Sequence, residues 1–308
     1  MGGMAMAERE ITQLYQQQKP HRVHPNFIPV ITLNSASGII AMAYGAKGPN
    51  LTISTACSSS AHAIGQAFHC IREGRADVVI TAGADASITP LVFAGFCSLR
   101  ALSSRFNDQP EKASRPFDRL RDGFIMGEGA GTLILESAAH AKKRKARVYA
   151  EIAGYAATSE AYHMVIPRED GLEVAHTMRL ALADAGVTPA QVDYINAHAT
   201  STTIGDAVEV RAIRRLFKSR ADKITISATK SLIGHTLGAA GAIGGIASVL
   251  ALHTGQIHPT ANYDDPDPAC ALAGLSRSAQ ERRVKVALLN AFGFGSNNAA
   301  VVLKQAPA

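Results

Sequence analysis

Short runs rich in β-branched residues alternate with longer stretches of helical periodicity along most of the 308-residue chain. This alternation is typical of an α/β protein, in which helices pack on a largely parallel sheet. We expect strands at 50–55, 77–82, 129–136, 147–154, 193–197, 224–227, 284–289 and 299–303. We expect the longer helices at 58–72, 172–185, 205–217 and 235–252.

A short pattern occurs twice in the chain. The sequence ISTAC at 53–57 is echoed by ISATK at 226–230, and each is followed by a helix of small residues. The echo indicates two similar α/β halves that meet near 140–147. We therefore expect an N-terminal half at 1–145 and a C-terminal half at 146–308.

The composition excludes several classes of protein. With 47% hydrophobic and 18% charged residues, the chain does not resemble a disordered or fibrous protein. Its four cysteines have neither CxxC nor metal-ligand spacing, so neither a disulfide framework nor a zinc site is indicated. No secretory signal pattern is found at the start, and the apolar stretch 237–252 is shorter than the ~20 residues of a membrane span. We expect a cytoplasmic protein without a membrane span.

The net charge of +6 favours acidic partners without identifying one. The basic run KKRKAR at 142–147 lies at a helix end before a strand, where such a run is usually a solvated surface. We therefore expect no nucleic-acid partner.

Cys57 lies where a predicted strand ends and a predicted helix begins. A thiol at a helix N-terminus is close to unpaired backbone N–H groups and to the positive end of the helix dipole, both of which favour the thiolate. Cys57 is thus placed to be a nucleophile. The alternative is a buried structural cysteine, which suits Cys70, Cys97 and Cys270 better.

Two histidines and a glycine-rich loop occupy similar positions. His198 and His235 both lie at predicted strand-to-helix turns, where open α/β sheets place ligand-facing residues. The loop 290–298 joins two predicted strands, and its backbone N–H groups could stabilise an oxyanion. A second glycine-rich run, 121–131, lacks the preceding strand and following helix of a nucleotide site.

Five motifs occur along the chain in this order: TACSS at 55–59, the run 121–131, NAHATST at 196–202, KSLIGH at 230–235 with GAAG at 238–241, and NAFGFG at 290–295. In type and order they resemble the motifs of the β-ketoacyl-acyl-carrier-protein synthases. The sequence is most similar to the type II elongating enzymes over essentially the whole chain.

The resemblance implies a thiolase fold, in which two similar α/β halves stack in five layers in the order α-β-α-β-α, and it implies a homodimer. It also implies that the first part of the N-terminal half is missing. A bare sheet edge would then be exposed, so we expect lower stability than in a full-length homologue.

The resemblance assigns a role to each candidate residue. Cys57 matches the nucleophile that accepts the acyl group, and His198 and His235 complete the site. Lys230 matches the active-site lysine. Phe294 matches a gating residue whose backbone N–H forms an oxyanion hole with that of Cys57.

Further contacts are implied for the substrate and the carrier protein. Substrate or phosphopantetheine contacts are expected at Thr200, Thr202, Phe96 and Phe292. Carrier-protein contacts are expected at Arg100 and Arg105, with Lys19 and Arg22 as lesser contributors.

The implied reaction is a decarboxylative condensation in fatty-acid elongation. An acyl chain on Cys57 would react with malonyl-acyl-carrier protein to give a 3-oxoacyl-acyl-carrier protein. No metal or resident cofactor is expected, because phosphopantetheine arrives on the carrier protein. Two alternatives stay open, a ketosynthase of polyketide or specialised-lipid synthesis and a degenerate, non-catalytic partner subunit.

One position departs from the family pattern. Gly244 stands where elongating synthases commonly carry a glutamate that pairs with the active-site lysine. We therefore expect Lys230 to lack an ion-pair partner, which is costly for a buried ammonium group.

Overall fold

The computed structural model describes residues 3–306. Its first part contains six helices and two strands, which are α1 (Met4–Gln17), α2 (Phe27–Ile31), α3 (Ser35–Tyr44), α4 (Ser59–Arg72), β1 (Val78–Asp85), α5 (Pro90–Ser98), β2 (Gly129–Glu136) and α6 (Ala138–Lys143).

The remaining part is richer in strands. Its elements are β3 (Ala150–Ser159), α7 (Leu172–Asp184), β4 (Tyr194–Asn196), α8 (Thr203–Phe217), β5 (Thr225–Ser227), α9 (Lys230–Ile233), α10 (Ala240–Thr254), β6 (Gln256–Ile257), β7 (Gln280–Glu281), β8 (Val286–Gly293) and β9 (Asn297–Gln305).

The main sheet has five strands in the order β3-β9-β8-β4-β5. Strand β4 runs parallel to β5 and β8, whereas β9 is antiparallel to both of its neighbours. The sheet is therefore mixed, and the prediction of a largely parallel sheet is wrong in this respect. The reason is the tight connection between β8 and β9, since a short turn can join only antiparallel strands.

Helices α4 and α10 lie between the main sheet and the small β1–β2 sheet. Helices α7 and α8 pack on the other face of the main sheet, where Met178, Ile195 and Ile213 are fully buried. Residues 3–306 thus form four of the five expected layers. On the outer face of the β1–β2 sheet, Val78 and Ile134 are exposed.

The central helix α10 is long and apolar. The stretch Leu237–Thr254 is long and apolar enough to cross a membrane by length and composition, and half of it is buried. Because α10 packs against α4, β2 and β8, it is a core helix here.

Most predicted elements are confirmed, although several bounds shift by a few residues, and two predicted strands differ most. The helix expected at 58–72 begins at Ser59, and β2 has the predicted bounds. The strand expected at 50–55 is not formed, and Leu51 is exposed. A strand needs a hydrogen-bonded neighbour, and within residues 3–306 β1 pairs only with β2. The strand expected at 147–154 begins at Ala150 and extends to Ser159, because it pairs with the full length of β9.

Close packing of α4 on β3 requires a glycine. A Cβ added at Gly65 would overlap the ring of Tyr155. The same ring is held in place by a 2.6 Å hydrogen bond between its hydroxyl and His62 Nδ1. This contact fixes the distance between the sheet and α4, the helix that follows Cys57.

Replacing Gly65 by Ala should therefore destabilise the protein, although alanine is the better helix former. We expect overpacking to lower the free energy of unfolding by about 1–3 kcal/mol, measured by guanidinium denaturation. Gly95→Ala in α5 is the matched control, because nothing lies within 4 Å of its added Cβ. It should leave stability unchanged or raise it by up to ~1 kcal/mol. Equal stabilities of the two variants would contradict this account of the packing.

Candidate active site

Cys57 lies in a strained turn immediately before α4. Ala56 has a φ of 51°, which is uncommon for a residue other than glycine. Two side chains hold the turn, since Ser58 Oγ donates to the Thr55 carbonyl at 2.8 Å and Ser59 Oγ accepts from the Thr55 N–H at 2.9 Å. Strain of this kind persists only where the surroundings hold it, and it is frequent at functional sites.

The β8–β9 turn approaches the Cys57 turn very closely. A Cβ added at Gly293 would overlap the Thr55 carbonyl oxygen and would lie 3.2 Å from the Cys57 nitrogen. Only glycine permits this approach. As a result, the backbone N–H groups of Phe294 and of Cys57 itself are in hydrogen-bonding position to the thiol. The structure thus brings together the two donors that the resemblance implies for an oxyanion hole.

Burial dominates the acidity of the nucleophile. Cys57 packs against an apolar cluster that includes Phe124 and Met126. This burial raises the pKa of the Cys57 thiol to about 11, although the Lys230 charge and the two N–H groups oppose the rise. The helix N-terminus was expected to favour a thiolate, but this expectation is wrong because burial outweighs that effect. Cys57 is therefore a neutral thiol near neutral pH.

The two histidine rings lie face to edge, with centroids 5.8 Å apart and planes at 89°. His198 Nδ1 accepts the Phe292 backbone N–H, and His235 Nδ1 accepts the Leu237 backbone N–H, both at 3.2 Å. These bonds fix the tautomers, because a neutral ring that accepts at Nδ1 carries its proton on Nε2. Burial and the charge of Lys230 hold both pKa values well below the usual 6.5. Each ring therefore offers a neutral Nε2–H donor.

Lys230 lies behind the histidines and is buried. Its Nζ donates to the His198 carbonyl at 2.5 Å. Burial lowers its pKa to about 8, against the opposing influence of the Glu209 and Cys57 charges. Glu209 of α8 thus compensates the Lys230 charge from nearby, although among residues 3–306 no ion pair joins the two side chains.

Glu209 was not predicted from the sequence. Its carboxylate accepts the backbone N–H groups of His198 and Ala199 at 2.9 and 2.8 Å, and the Asn290 amide at 3.0 Å. Glu209 could have been identified from its position among the apolar residues of α8, because an acidic residue on a buried helix face needs hydrogen-bond or charge partners.

Gly244 lies on the buried side of α10. A Cβ added there would lie 2.9 Å from both Asn196 Oδ1 and Leu289 Cδ1. A glutamate side chain at this position would therefore require its neighbours to move.

A row of aromatic rings passes through the site. Phe96 contacts Phe124, Phe124 contacts His235, and His198 contacts Phe292, with centroids 5.2 to 5.3 Å apart. The predicted Phe96 and Phe292 thus lie at the two ends of the row. Phe124 was not predicted, although it lies in the second glycine-rich run.

The half-buried Thr200 and Thr202 lie on the turn between β4 and α8, and their hydroxyl oxygens are 3.0 Å apart. Ser201 between them has a φ of 69°. Two buried side chains hold the turn, since Arg121 donates to the Thr202 carbonyl and Asp206 accepts the Ser201 N–H.

The predicted carrier-protein contacts are exposed. Arg100 and Arg105 lie on the loop after α5, and the Arg105 backbone N–H donates to Asp122 at 3.0 Å. Lys19 and Arg22 follow α1 and belong to a separate segment.

The other three cysteines lie outside this cluster of residues. Cys70 and Cys270 are buried, Cys97 is exposed, and all four cysteines are free thiols. Among residues 3–306, no group of three His, Cys, Asp or Glu side chains is arranged to hold a metal ion.

Comparison with protein families gives two matches. The N-terminal domain of beta-ketoacyl synthase matches residues 1–141, and its C-terminal domain matches residues 149–264. The 3-oxoacyl-(acyl-carrier-protein) synthase 2 of Coxiella burnetii is 44% identical over 99% of this chain and 73% of that protein. The chloroplastic 3-oxoacyl-(acyl-carrier-protein) synthase I of Arabidopsis thaliana is 46% identical over 98% of this chain and 63% of that protein.

Solved structures agree with these matches. A type II polyketide ketosynthase in complex with its acyl-carrier protein (AntDE:AntF) aligns with a TM-score of 0.96 and 36% identity, over 99% of this chain and 76% of that one. A beta-ketoacyl synthase from Burkholderia phymatum aligns with a TM-score of 0.91 and 34% identity, over 97% and 72%. The α/β thiolase fold is thereby confirmed, and the chain belongs to the beta-ketoacyl synthase family.

Proposed function

We propose that this protein catalyses the decarboxylative condensation of an acyl group, held as a thioester on Cys57, with malonyl-acyl-carrier protein. The product is a 3-oxoacyl-acyl-carrier protein, as in fatty-acid elongation. The observation that carries the proposal is the meeting of one thiol, two neutral histidine donors and two backbone N–H groups in one site. The names of the 3-oxoacyl-(acyl-carrier-protein) synthases that are 44–46% identical support it.

The first step transfers the acyl group to Cys57. The sulfur attacks the carbonyl carbon of the incoming thioester, the carrier thiol leaves, and the Cys57 proton passes to the departing sulfur. The N–H groups of Cys57 and Phe294 stabilise the tetrahedral oxyanion, and one such donor is worth about 3–4 kcal/mol. Since Cys57 rests as a neutral thiol, the proton must move during this step.

The second step forms the new carbon–carbon bond. The malonyl carboxylate leaves as carbon dioxide, and the electron pair becomes an enolate on the remaining thioester. The Nε2–H groups of His198 and His235 donate to the enolate oxygen. The enolate carbon attacks the Cys57 thioester, and Cys57 leaves as a thiolate and takes up a proton from water. Neutral histidines suit this role, because a charged imidazolium could transfer its proton to the enolate and quench it.

The partner in both steps is proposed to be an acyl carrier protein. The AntDE:AntF ketosynthase was solved with such a protein, and the positive net charge suits an acidic partner. Thr200 and Thr202 are proposed to contact the phosphopantetheine arm, with Phe96 and Phe292 beside the reacting groups. Arg100 and Arg105 are proposed to contact the carrier itself. Phosphopantetheine arrives with the substrate, so no resident cofactor is proposed.

We also propose a homodimer in the cytoplasm. Exposed apolar residues such as Met42 and Leu91 are suited to an interface between copies. The free state of all four cysteines suits a reducing compartment.

Polyketide synthesis is the second candidate function. The similarity to the AntDE:AntF ketosynthase and to the ishigamide ketosynthase/chain length factor favours it. Product analysis separates the two functions. An enzyme of fatty-acid elongation condenses once per reduced acyl chain, whereas a polyketide enzyme extends its unreduced 3-oxo product.

The nucleophile can be tested by acylation. Mass spectrometry after incubation with an acyl thioester, or with an epoxide of the cerulenin type, should place the adduct on Cys57. Cys57→Ala should abolish acylation. The control Cys97→Ser should be acylated at the wild-type rate, although Cys97 is the exposed thiol. Modification of Cys97 or Cys270 without modification of Cys57 would contradict the assignment of Cys57 as the nucleophile.

The histidines can be tested by measuring the two steps separately. His198→Ala and His235→Ala should each slow carbon dioxide release from malonyl-acyl-carrier protein by roughly 10²-fold or more, because an enolate donor is lost. Acylation of Cys57 should change much less. His176→Ala on the outer helix α7 is the control and should match wild type. Decarboxylation at the wild-type rate in either active-site variant would refute the role.

Carrier docking can be tested by charge reversal. Arg100→Glu should raise KM for acyl-acyl-carrier protein several-fold and weaken its salt dependence, because attraction becomes repulsion. KM for a small acyl-pantetheine thioester should not change. Arg179→Glu on α7 is the control for net charge. An unchanged KM for the carrier substrate in Arg100→Glu would exclude this surface.

A further inference from the structure

A small cavity lies beside Lys230, between α10 and the ends of β4 and β8. Its volume is about 10 Å³, measured as the space open to the centre of a water molecule. This is roughly the room that one water needs. Its polar lining consists of Asn196, Thr229, Lys230, Thr236 and Asn290.

Two acceptors in this lining have no protein partner. Within residues 3–306, Asn290 Oδ1 and Thr236 Oγ1 are buried and make no hydrogen bond. The orientation of the Asn290 amide is set by its Nδ2, which donates to Glu209 at 3.0 Å. Its oxygen must therefore point away from Glu209. An unsatisfied buried polar group costs about 1–3 kcal/mol, so Asn290 Oδ1 needs a donor and the Thr236 hydroxyl needs a partner of either kind.

Lys230, in contrast, has hydrogen-bond donors without acceptors. Its ammonium group has three N–H donors, and one of them is used by the His198 carbonyl. Glu209 is the nearby carboxylate, and its oxygens already accept two backbone N–H groups and the Asn290 amide. The cavity thus separates an ammonium group with spare donors from two oxygen atoms without partners.

We propose that the cavity is a binding site for one structural water molecule, which accepts from Lys230 Nζ and donates to Asn290 Oδ1 and Thr236 Oγ1. Water is the ligand that matches, because it accepts and donates at once. A cation would be repelled by the Lys230 ammonium. An anion would be repelled by Asn290 Oδ1, which can only accept a hydrogen bond.

The water has a consequence for the site. Burial already lowers the pKa of Lys230 to about 8, and removing a hydrogen-bonding water would desolvate the ammonium further. The water therefore helps Lys230 to remain charged near neutral pH, where its charge lowers the pKa of Cys57. The inference does not rest on the proposed reaction, since neither measurement below uses turnover.

A high-resolution crystal structure of the wild-type protein is the first test. We expect one well-ordered density peak in the cavity, within hydrogen-bonding distance of Lys230 Nζ and Asn290 Oδ1. No peak in the cavity would overturn the proposal. A peak with anomalous signal or metal-like coordination would overturn it as well.

A pair of substitutions is the second test. Thr236→Val replaces the hydroxyl by a methyl group of similar size, and Thr236→Ser keeps the hydroxyl. We expect the peak to be lost in Thr236→Val and kept in Thr236→Ser. The pKa of Lys230, followed by NMR of lysine labelled with carbon-13 at Cε, should then be lower in Thr236→Val by roughly half a unit or more. The signal is assigned by its absence in Lys230→Arg. Equal pKa values in the two Thr236 variants would contradict the proposed role of the water.

Discussion

The active site depends on how closely two backbone turns approach one another. Gly293, the last residue of β8 before the β8–β9 turn, lies against the carbonyl of Thr55 and the nitrogen of Cys57, and no larger residue fits there. The helices beneath the site meet in the same way. Gly241 of α10 lies against Ala61 of α4, where an added Cβ would be 2.5 Å from the Ala61 nitrogen. Small residues at these contacts let the two sheets and the helices between them place the thiol beside the Phe294 N–H.

Burial sets the chemistry of this site more than charge does. It raises the pKa of Cys57 and lowers the pKa values of both histidines and of Lys230. Near neutral pH the site therefore holds a neutral thiol and two neutral imidazoles, with one ammonium behind them. Such a site carries few charges before the reaction. Its hydrogen-bond donors are aimed at the charge that develops in the transition state, which is usually the largest single contribution to lowering the activation barrier.

Much of this site could be predicted from the sequence, because its residues lie in short motifs. Cys57, His198 and His235 follow strand ends, and the order of the five motifs indicates the family. Phe124 and Glu209 were missed, since their roles arise from packing between segments far apart in the chain. The acidity of Cys57 was predicted in the wrong direction, because the helix N-terminus was visible in the sequence and the apolar cluster around the thiol was not.

The fold, too, was predicted where local sequence determines it and missed where contacts between distant segments do. Periodicity located most strands and the helices α4, α7, α8 and α10, and β2 has the predicted bounds, but helices α1, α2, α3 and α5 were not predicted. It could not show that β8 and β9 form a hairpin, which makes the main sheet mixed. It also predicted a strand at 50–55 from local composition, although a strand forms only where a neighbouring strand is available to pair with it.

The most direct test of this account is the rate of acyl transfer to Cys57 in a Gly293→Ala variant. The added methyl group should push the two turns apart and weaken the oxyanion hole, so acyl transfer should fall by roughly 10²-fold. Alkylation of Cys57 by iodoacetamide forms no oxyanion, so its rate should change far less, and the protein should remain folded by circular dichroism. Acyl transfer at the wild-type rate would contradict the central claim that the Gly293 contact builds the site.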